Sequence, residues 1–172
     1  MFHAMEGAHS VSFTYEVSML RLSKKSEYAL MALLHLAELK GDERAAVTAI
    51  AEARSLPRGL LAKVMQELKR AGLVRSSKGV TGGYQLSRPM EQLLFLDVVR
   101  PFEENMALVD CLNQNRQNCD RFECCTLRDP MATLNNWFLG KLKTLNMEEF
   151  RRLGIPEPNQ HMFIAPQLAT SA

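Results

Sequence analysis

The chain has 172 residues, of which 47% are hydrophobic, and a formal net charge of +2. This length suits about one ordinary domain with long appendages, and this hydrophobic share is normal for a folded core. No apolar run reaches the ~18 residues of a membrane span, and residues 1–18 lack the basic start and apolar stretch of a secretory signal, so we expect a cytoplasmic protein without a membrane partner.

The charge is unevenly distributed along the chain. Residues 19–86 hold 12 Lys/Arg against 6 Asp/Glu, a net charge of +6, whereas the remaining residues hold 9 against 13, a net charge of −4. A basic segment beside an acidic one is typical of a nucleic-acid-binding head on an acidic body, but an ordinary solvated surface gives similar counts. Charge alone does not decide between the two.

The first strong pattern is a helix that follows a predicted flexible extension over residues 1–18. Ser23 can cap this helix, and its apolar residues are spaced for one buried face. Gly41 is a natural stop. We therefore predict a helix from about Ser23 to the residues before Gly41.

A helix-turn-helix is predicted next. Thr48 can cap a short helix over residues 49–53. After a tight turn, Pro57 stands in the first turn of a second helix that ends at Gly72. The outward side of this second helix carries small or basic residues and no acid before Glu67. Such a side suits insertion into the major groove of DNA.

A β-hairpin is predicted directly after the second helix. Two short strand-like pieces between Leu73 and Leu86 flank a glycine-rich turn. Lys78 at the tip can contact phosphate or the minor groove, and the glycines allow close approach of the backbone. The order of helix, helix-turn-helix and basic hairpin predicts a winged helix-turn-helix DNA-binding domain over residues 19–90.

Residues 91–125 are predicted to hold a connecting helix and a cysteine loop. The apolar residues 93–102 indicate a buried helix that Pro101 ends or bends. All four cysteines lie between residues 111 and 125. Without a signal peptide this cluster favours a metal or iron–sulfur site over structural disulfides, because thiolates bind soft metals and a reducing compartment disfavours disulfides.

A long dimerisation helix is predicted over residues 126–153. Thr126 and Asp129 resemble a capping box, and apolar residues at steps of three and four follow from Leu127 to Leu145. A chain this short has few residues left to cover this apolar stripe. We therefore expect a homodimer. Residues 154–172 have three prolines and no period, and we predict a mobile tail.

Several stretches resemble the Rrf2 family of winged-helix regulators, which contains IscR, NsrR and RirA. The matching stretches are the opening MLRLSK with Glu27–Leu30, residues 56–64 and 71–74 around the second helix of the helix-turn-helix, the wing residues 78–86, and residues 96–99. The resemblance covers residues 19–150. It implies a mainly α fold with a small β wing, in which a winged helix-turn-helix precedes a long C-terminal dimerisation helix.

The resemblance also implies an iron–sulfur cluster, either [2Fe-2S] or [4Fe-4S], held by three cysteines. Cys111, Cys119 and Cys125 fit the family's spacing, and the last is followed, as in the family, by one residue and a leucine. The adjacent Cys124 is an alternative ligand, a redox partner or a spare thiol. Three thiolates leave one iron site open.

Family members complete the iron site in two ways. The position at which IscR-like proteins carry a histidine is Arg128 here. NsrR-like relatives use a carboxylate of the first helix, contributed by the other subunit, and the matching residue is Glu27. The alternative for Glu27 is an acid favoured at a helix start by the helix dipole.

The resemblance implies a dimer that reads an inverted-repeat operator in double-stranded DNA. Arg58 and Lys63 would face base edges, while Lys24 and Lys78 would hold phosphates. The full set of predicted DNA contacts is Ser23, Lys24, Tyr28, Thr48, Ser55, Pro57, Arg58, Gly59, Lys63, Lys78, Gly79, Thr81, Gly82 and Tyr84.

The leading hypothesis is a homodimeric transcription factor that senses an iron–sulfur cluster and controls genes of iron homeostasis or cluster assembly. One alternative is a nitric-oxide-sensing repressor of the same family. Another keeps the DNA binding and uses the cysteines as a thiol–disulfide switch, for which adjacent Cys124 and Cys125 are the hint. A small electron carrier or a zinc-stabilised module is a further alternative. The sequence shows none of the usual motifs of an enzyme.

Overall fold

The computed structural model describes residues 21–79, 82–103, 106–112, 121 and 123–153. The extension predicted over residues 1–18 and the tail predicted over 154–172 lie outside these ranges, as do the predicted site residues Thr81 and Cys119. No helix in the described part of the chain is long and apolar enough to cross a membrane.

The described residues form helices with one small sheet, so the predicted fold class is confirmed. The elements in order are α1 (Lys24–Ala37), α2 (Val47–Ala53), α3 (Arg58–Arg70), β1 (Val74–Ser77), β2 (Gly83–Leu86), α4 (Phe95–Val99), α5 (Arg128–Thr144) and α6 (Met147–Arg152). Short 3-10 turns occupy Met90–Gln92, Arg100–Phe102 and Asp110–Leu112. The core lies where α1, α3 and α4 meet, and β1 and β2 flank it.

Helix α3 is strongly amphipathic and enters the core along one face. Leu61, Val64, Met65 and Leu68 repeat at helical spacing and are fully buried. At its end the Gly72 N–H donates to the Lys69 carbonyl at 3.0 Å, and the next N–H donates to the Leu68 carbonyl at 2.9 Å. Gly72 can close this turn because its φ of 72° favours glycine. The turn directs the chain into β1.

The two strands form the wing predicted from the sequence. They pair antiparallel, with Val74 opposite Leu86 and Ser77 opposite Gly83. On its other side β2 pairs with Ala45, whose N–H donates to the Tyr84 carbonyl at 3.0 Å and whose carbonyl accepts from the Tyr84 N–H at 2.8 Å. The wing is thereby attached to the segment that leads into α2.

Gly83 allows this close approach, because a Cβ at Gly83 would lie 2.8 Å from the carbonyl carbon and oxygen of Ala45. We expect Gly83→Ala to lower the free energy of unfolding by about 2 kcal/mol, since overpacking against backbone costs about 1–3 kcal/mol. Urea unfolding measures the change. Gly140→Ala is the control, because a Cβ there meets nothing within 4 Å. Equal effects of the two substitutions would contradict this explanation.

Two helix starts differ from the sequence prediction. Helix α2 begins at Val47 with Ala46 as its N-cap, so Thr48 lies inside the first turn and does not cap the helix. Helix α5 has Leu127 at its N-cap position and no side-chain cap bond, so the capping box predicted from Thr126 and Asp129 is wrong.

The connecting helix predicted over residues 93–102 is shorter than expected. Helix α4 covers only Phe95–Val99, and a 3-10 turn continues to Phe102. Pro101 has no N–H to donate to a carbonyl one helical turn earlier, which explains the tighter turn. At the other end, Leu93 and Leu94 are extended because they pair with another segment of the chain.

The pairing of Leu93 and Leu94 with residues 145–147 also divides the helix predicted over residues 126–153 into α5 and α6. The Phe95 N–H donates to the Leu145 carbonyl at 2.9 Å, and the Met147 N–H donates to the Leu93 carbonyl at 2.8 Å. Asn146, between the two helices, then caps α6 in a capping box with Glu149, with bonds of 2.8 Å and 3.1 Å. The capping box thus occurs here rather than at the start of α5.

Helix α6 carries an internal ion pair on Glu148, which is nearly buried. Its carboxylate accepts from Arg151 at 2.7 Å and 2.8 Å and from Arg152 at 2.9 Å. The hydrogen bonds from Arg151, supported by Arg152, outweigh burial and lower the pKa of Glu148 from 4.5 to about 2. Glu148 is therefore ionised at neutral pH, and its charge is compensated within α6.

Candidate nucleic-acid interface and cysteine loop

The turn between α2 and α3 is closed by backbone hydrogen bonds. The Leu56 N–H donates to the Ala51 carbonyl at 2.8 Å, and the Ser55 N–H donates to the Glu52 carbonyl at 3.3 Å. Ser55 has a φ of 52°, the left-handed conformation that glycine usually supplies at this position. The Ser55 side chain is exposed at the turn. This geometry sets where α3 begins.

The basic face of α3 lies opposite its buried face. Pro57 is the N-cap, and Arg58, Gly59 and Lys63 are exposed, as predicted. No acidic residue occurs in the first turn. An exposed helix face with two cations and a small residue can approach a nucleic-acid groove closely without repelling phosphate.

The described residues at the tip of the wing are Lys78, Gly79 and Gly82. Lys78 and Gly79 are exposed, and the Gly82 N–H donates to the Gly79 carbonyl at 3.0 Å. A Cβ at Gly82 would lie 2.6 Å from the Ser77 carbonyl oxygen, so only glycine fits there. Tyr84 is half-buried and packs against the core. The wing thus presents a cation and open backbone, while Tyr84 contributes to its base.

The N-terminus of α1 carries three predicted DNA contacts. The hydroxyl of Ser23 accepts from the Ser26 N–H at 3.2 Å, so the predicted helix cap is confirmed. Lys24 is exposed and forms an ion pair of 2.5 Å with Glu27. Tyr28 is half-buried and packs against the core. The contacts of these residues with DNA remain predictions, as does that of half-buried Thr48.

The structure shows two polar contacts that were not predicted from the sequence. Glu103 accepts hydrogen bonds from the backbone of Ser23 and from the hydroxyl of Ser26, which is fully buried. The amide oxygen of Asn135 accepts from the Leu108 N–H at 3.0 Å. The available signal was a polar residue on an apolar helix face, at Ser26 in α1 and at Asn135 in α5. Such a signal indicates a partner without identifying it.

The described cysteines lie at the two ends of the cysteine loop, residues 111–125. Cys111 and Cys125 are half-buried and Cys124 is exposed, and all three are free thiols. Cys124 is part of a turn in which its N–H donates to the Arg121 carbonyl at 3.1 Å. Among the described residues, no three His, Cys, Asp or Glu side chains are grouped closely enough to hold a metal ion. Cys119 lies outside them.

An apolar strip lies exposed on α5. Leu127 at its start is 59% exposed, Leu134 is 48% exposed and Trp137 is 62% exposed. Asn135 is the residue of α5 that is buried. Leu142, near the C-terminal end, packs against the core. The exposed strip formed by Leu127, Leu134 and Trp137 is therefore left uncovered by the part of the chain that the structure describes.

The chain is similar to known regulators in sequence. Residues 22–152 match the family described as Rrf2, iron-dependent transcriptional regulators. The HTH-type transcriptional regulator NsrR of Halalkalibacterium halodurans is 31% identical over 130 residues, which cover 76% of this chain and 89% of that protein. Protein aau3 of Rhizobium meliloti is 29% identical over 147 residues, which cover 81% of this chain and 95% of that protein.

Two solved structures share the fold. CymR, the global cysteine regulator of B. subtilis, superposes with a TM-score of 0.63 at 24% identity, covering 78% of this chain and 98% of that one. IscR of T. potens superposes with a TM-score of 0.60 at 22% identity, covering 77% of this chain and 87% of that one. At these identities the structures indicate a shared architecture, namely a winged helix-turn-helix with a C-terminal helix.

Proposed function

Because the chain belongs to the Rrf2 family of transcriptional regulators, we propose that it is a homodimer that reads an inverted-repeat operator according to the state of an iron–sulfur cluster. Membership makes it a DNA-binding regulator and not an enzyme. We propose four further properties: the iron–sulfur cluster, the homodimer, the inverted-repeat operator and a cytoplasmic location. The target genes would serve iron homeostasis or cluster assembly.

The observation that carries the proposal is the pair of half-buried free thiols, Cys111 and Cys125, at the two ends of the cysteine loop. Free, partly covered thiols suit a cluster, because cluster ligands are thiolates and partial burial limits access of solvent and oxidants. Cys111, Cys119 and Cys125 would hold the cluster, which would supply an iron centre responsive to iron, oxygen or nitric oxide. The description of the family as iron-dependent supports this choice.

The fourth ligand is proposed to be Glu27 of the partner subunit. Glu27 lies in the first turn of α1, where it is partly exposed and paired with Lys24 at 2.5 Å. An exposed pair of this kind contributes at most about 1 kcal/mol, so the carboxylate can exchange partners at low cost. A nitric-oxide signal, which the resemblance to NsrR-like members of the family implies, is the second candidate, and the similarity to NsrR of Halalkalibacterium halodurans favours it.

Uptake and DNA binding test the proposal together. The purified chain, kept without oxygen and supplied with iron and sulfide, should become coloured, and native mass spectrometry should give a dimer with cluster mass. Its affinity for a duplex selected from random-sequence DNA should differ between the loaded and cluster-free forms. Absence of uptake, or equal affinities, would exclude cluster sensing. A colourless protein with redox-dependent binding would favour the thiol–disulfide switch on Cys124 and Cys125.

The proposed DNA contacts make two kinds of prediction. Arg58→Ala should cost about 1–3 kcal/mol of affinity and relax specificity at one operator position, as loss of a base contact does. Lys78→Ala should weaken binding to all sequences and reduce the salt dependence by about one counterion. Fluorescence anisotropy across a salt series measures both. Lys143→Ala is the control, because Lys143 is an exposed cation of α5, outside the winged head. Identical salt slopes for all three variants would contradict the assignment.

A further inference from the structure

The carboxylate of Glu103 joins the start of α1 to the segment that leads into the cysteine loop. It accepts the Ser23 N–H at 2.8 Å and the hydroxyl of Ser26. We infer that Glu103 is a positioning residue, which holds the DNA-reading end of α1 in register with the cysteine loop and so makes operator affinity depend on the state of the loop. This inference rests on the proposed function for its link to the cluster.

The contact is costly to lose. Ser26 is fully buried, and its hydroxyl donates to Glu103 while the Ser23 hydroxyl donates to it at 3.3 Å. Loss of the Glu103 acceptor would destabilise the fold, because water cannot replace the hydrogen bond at a buried hydroxyl. The Ser23 N–H belongs to the start of α1, where a carboxylate is also favoured by the helix dipole. Glu103 is only half-buried, so this contact sits at the edge of the core, where a movement of the connecting segment can reach it.

The residues near this contact are those proposed to touch DNA and cluster. Lys24 follows Ser23 directly and is exposed, and Glu27 follows Ser26 directly. The Glu27 N–H donates to the Ser23 carbonyl at 3.0 Å, which closes the first turn of α1. A shift of Glu103 would therefore displace the proposed phosphate contact and the proposed fourth ligand together.

The same segment is also attached to α5. Leu108 donates its N–H to Asn135 at 3.0 Å, and Asn135 is the buried residue of that helix. Leu108 precedes Cys111 by three positions, a reach of about 10 Å for an extended chain. The segment before the cysteine loop is thus fixed to the head by Glu103 and to α5 by Leu108. A rearrangement at Cys111 can therefore reach both the Glu103 contact and the Leu108 contact through a few residues of the chain.

The experiment measures affinity for the selected duplex in the loaded and cluster-free states of each variant. In the wild type, the affinities of the loaded and cluster-free forms should differ by at least about 5-fold, the lower end of typical coupling. In Glu103→Ala the two affinities should lie within about 2-fold of each other, so that their ratio is near one. Glu103→Gln keeps an acceptor oxygen and should preserve the ratio. Glu91→Ala is the control, because it removes an equally negative, exposed carboxylate from the turn before α4.

A double variant separates positioning from stability. Glu103→Ala leaves the Ser26 hydroxyl with the Ser23 hydroxyl at 3.3 Å and without its carboxylate acceptor. The double variant Ser26→Ala with Glu103→Ala removes that hydroxyl, so it should unfold at a higher urea concentration than Glu103→Ala. Its affinity ratio should nevertheless stay near one. If the double variant regained both stability and the wild-type affinity ratio, Glu103 would act only structurally and the inference would be overturned. A wild-type affinity ratio in Glu103→Ala would overturn it as well.

Amide hydrogen exchange keeps the inference distinct from the proposed function. Exchange at the Ser23 amide should rise in cluster-free Glu103→Ala, and cluster-free affinity for the duplex should fall. If the wild-type ratio is one, cluster sensing and its coupling through Glu103 both fail, and these two changes then support only the placement of α1 by Glu103. If neither changes, the positioning role is excluded whatever the wild-type ratio.

Discussion

Replacing both Leu134 and Trp137 with glutamate is expected to convert the proposed dimer into monomers and to weaken operator binding about 100-fold, because two linked heads gain 10²–10⁴-fold in avidity over one. The two side chains are 48% and 62% exposed in the single chain. In a dimer formed through this strip, the introduced carboxylates would be buried without partners. The free-energy cost of that burial would exceed the free energy gained from the interface contacts.

Sedimentation velocity and anisotropy on the selected inverted repeat measure the two effects. Asn136→Glu is the matched control, because Asn136 is exposed and helical periodicity places it on the opposite side of α5 from Leu134. It should leave both the oligomeric state and the affinity unchanged. A double variant that remains dimeric would show that another surface joins the subunits.

Cys111→Ala and Cys125→Ala are each expected to abolish stable cluster binding, whereas Cys124→Ala should retain it. Loss of an outer partner of a metal ligand costs about 10- to 100-fold in affinity, so loss of a ligand should cost at least as much. Exposure distinguishes the neighbouring thiols, since Cys124 is exposed and Cys125 is half-buried. Iron content per dimer and visible absorption after anaerobic reconstitution measure the result.

The three variants control one another, because each removes one thiol from the same loop. Retained iron in Cys125→Ala with loss in Cys124→Ala would exchange the roles of the two adjacent residues. If all three variants retained iron, the cluster ligands would have to be other residues of the chain. Glu27→Ala beside them addresses the fourth ligand, and Glu43→Ala, an exposed acid in the loop between α1 and α2, controls for the change in charge.

The head could be predicted from the sequence because its signals are local. The burial of one face of α3 follows from apolar residues at helical spacing, and its end follows from Gly72, whose positive φ was implied by the residue type. The wing followed from two strand-like pieces around a glycine-rich turn. The exposure of Arg58, Lys63 and Lys78 followed from the same periodicities.

The helix boundaries could not be predicted where distant segments compete for the same backbone groups. Residues 126–153 have a continuous helical pattern, yet pairing of Leu93 and Leu94 with Leu145 and Asn146 ends α5 and starts α6. Thr48 was an acceptable cap by residue type, but the chain enters α2 two residues earlier, with Ala46 at the N-cap position.

By itself the sequence determined the family, the order of helix, helix-turn-helix and wing, and the clustering of thiols in one loop, because these depend on neighbours in the chain. Only the tertiary structure decided which polar groups meet. Ser26 and Glu103 are separated by 77 positions, and Leu108 and Asn135 by 27. Their contacts arise because a buried hydroxyl or amide must find a partner once water is excluded, and the packing of α1 and α5 selects that partner.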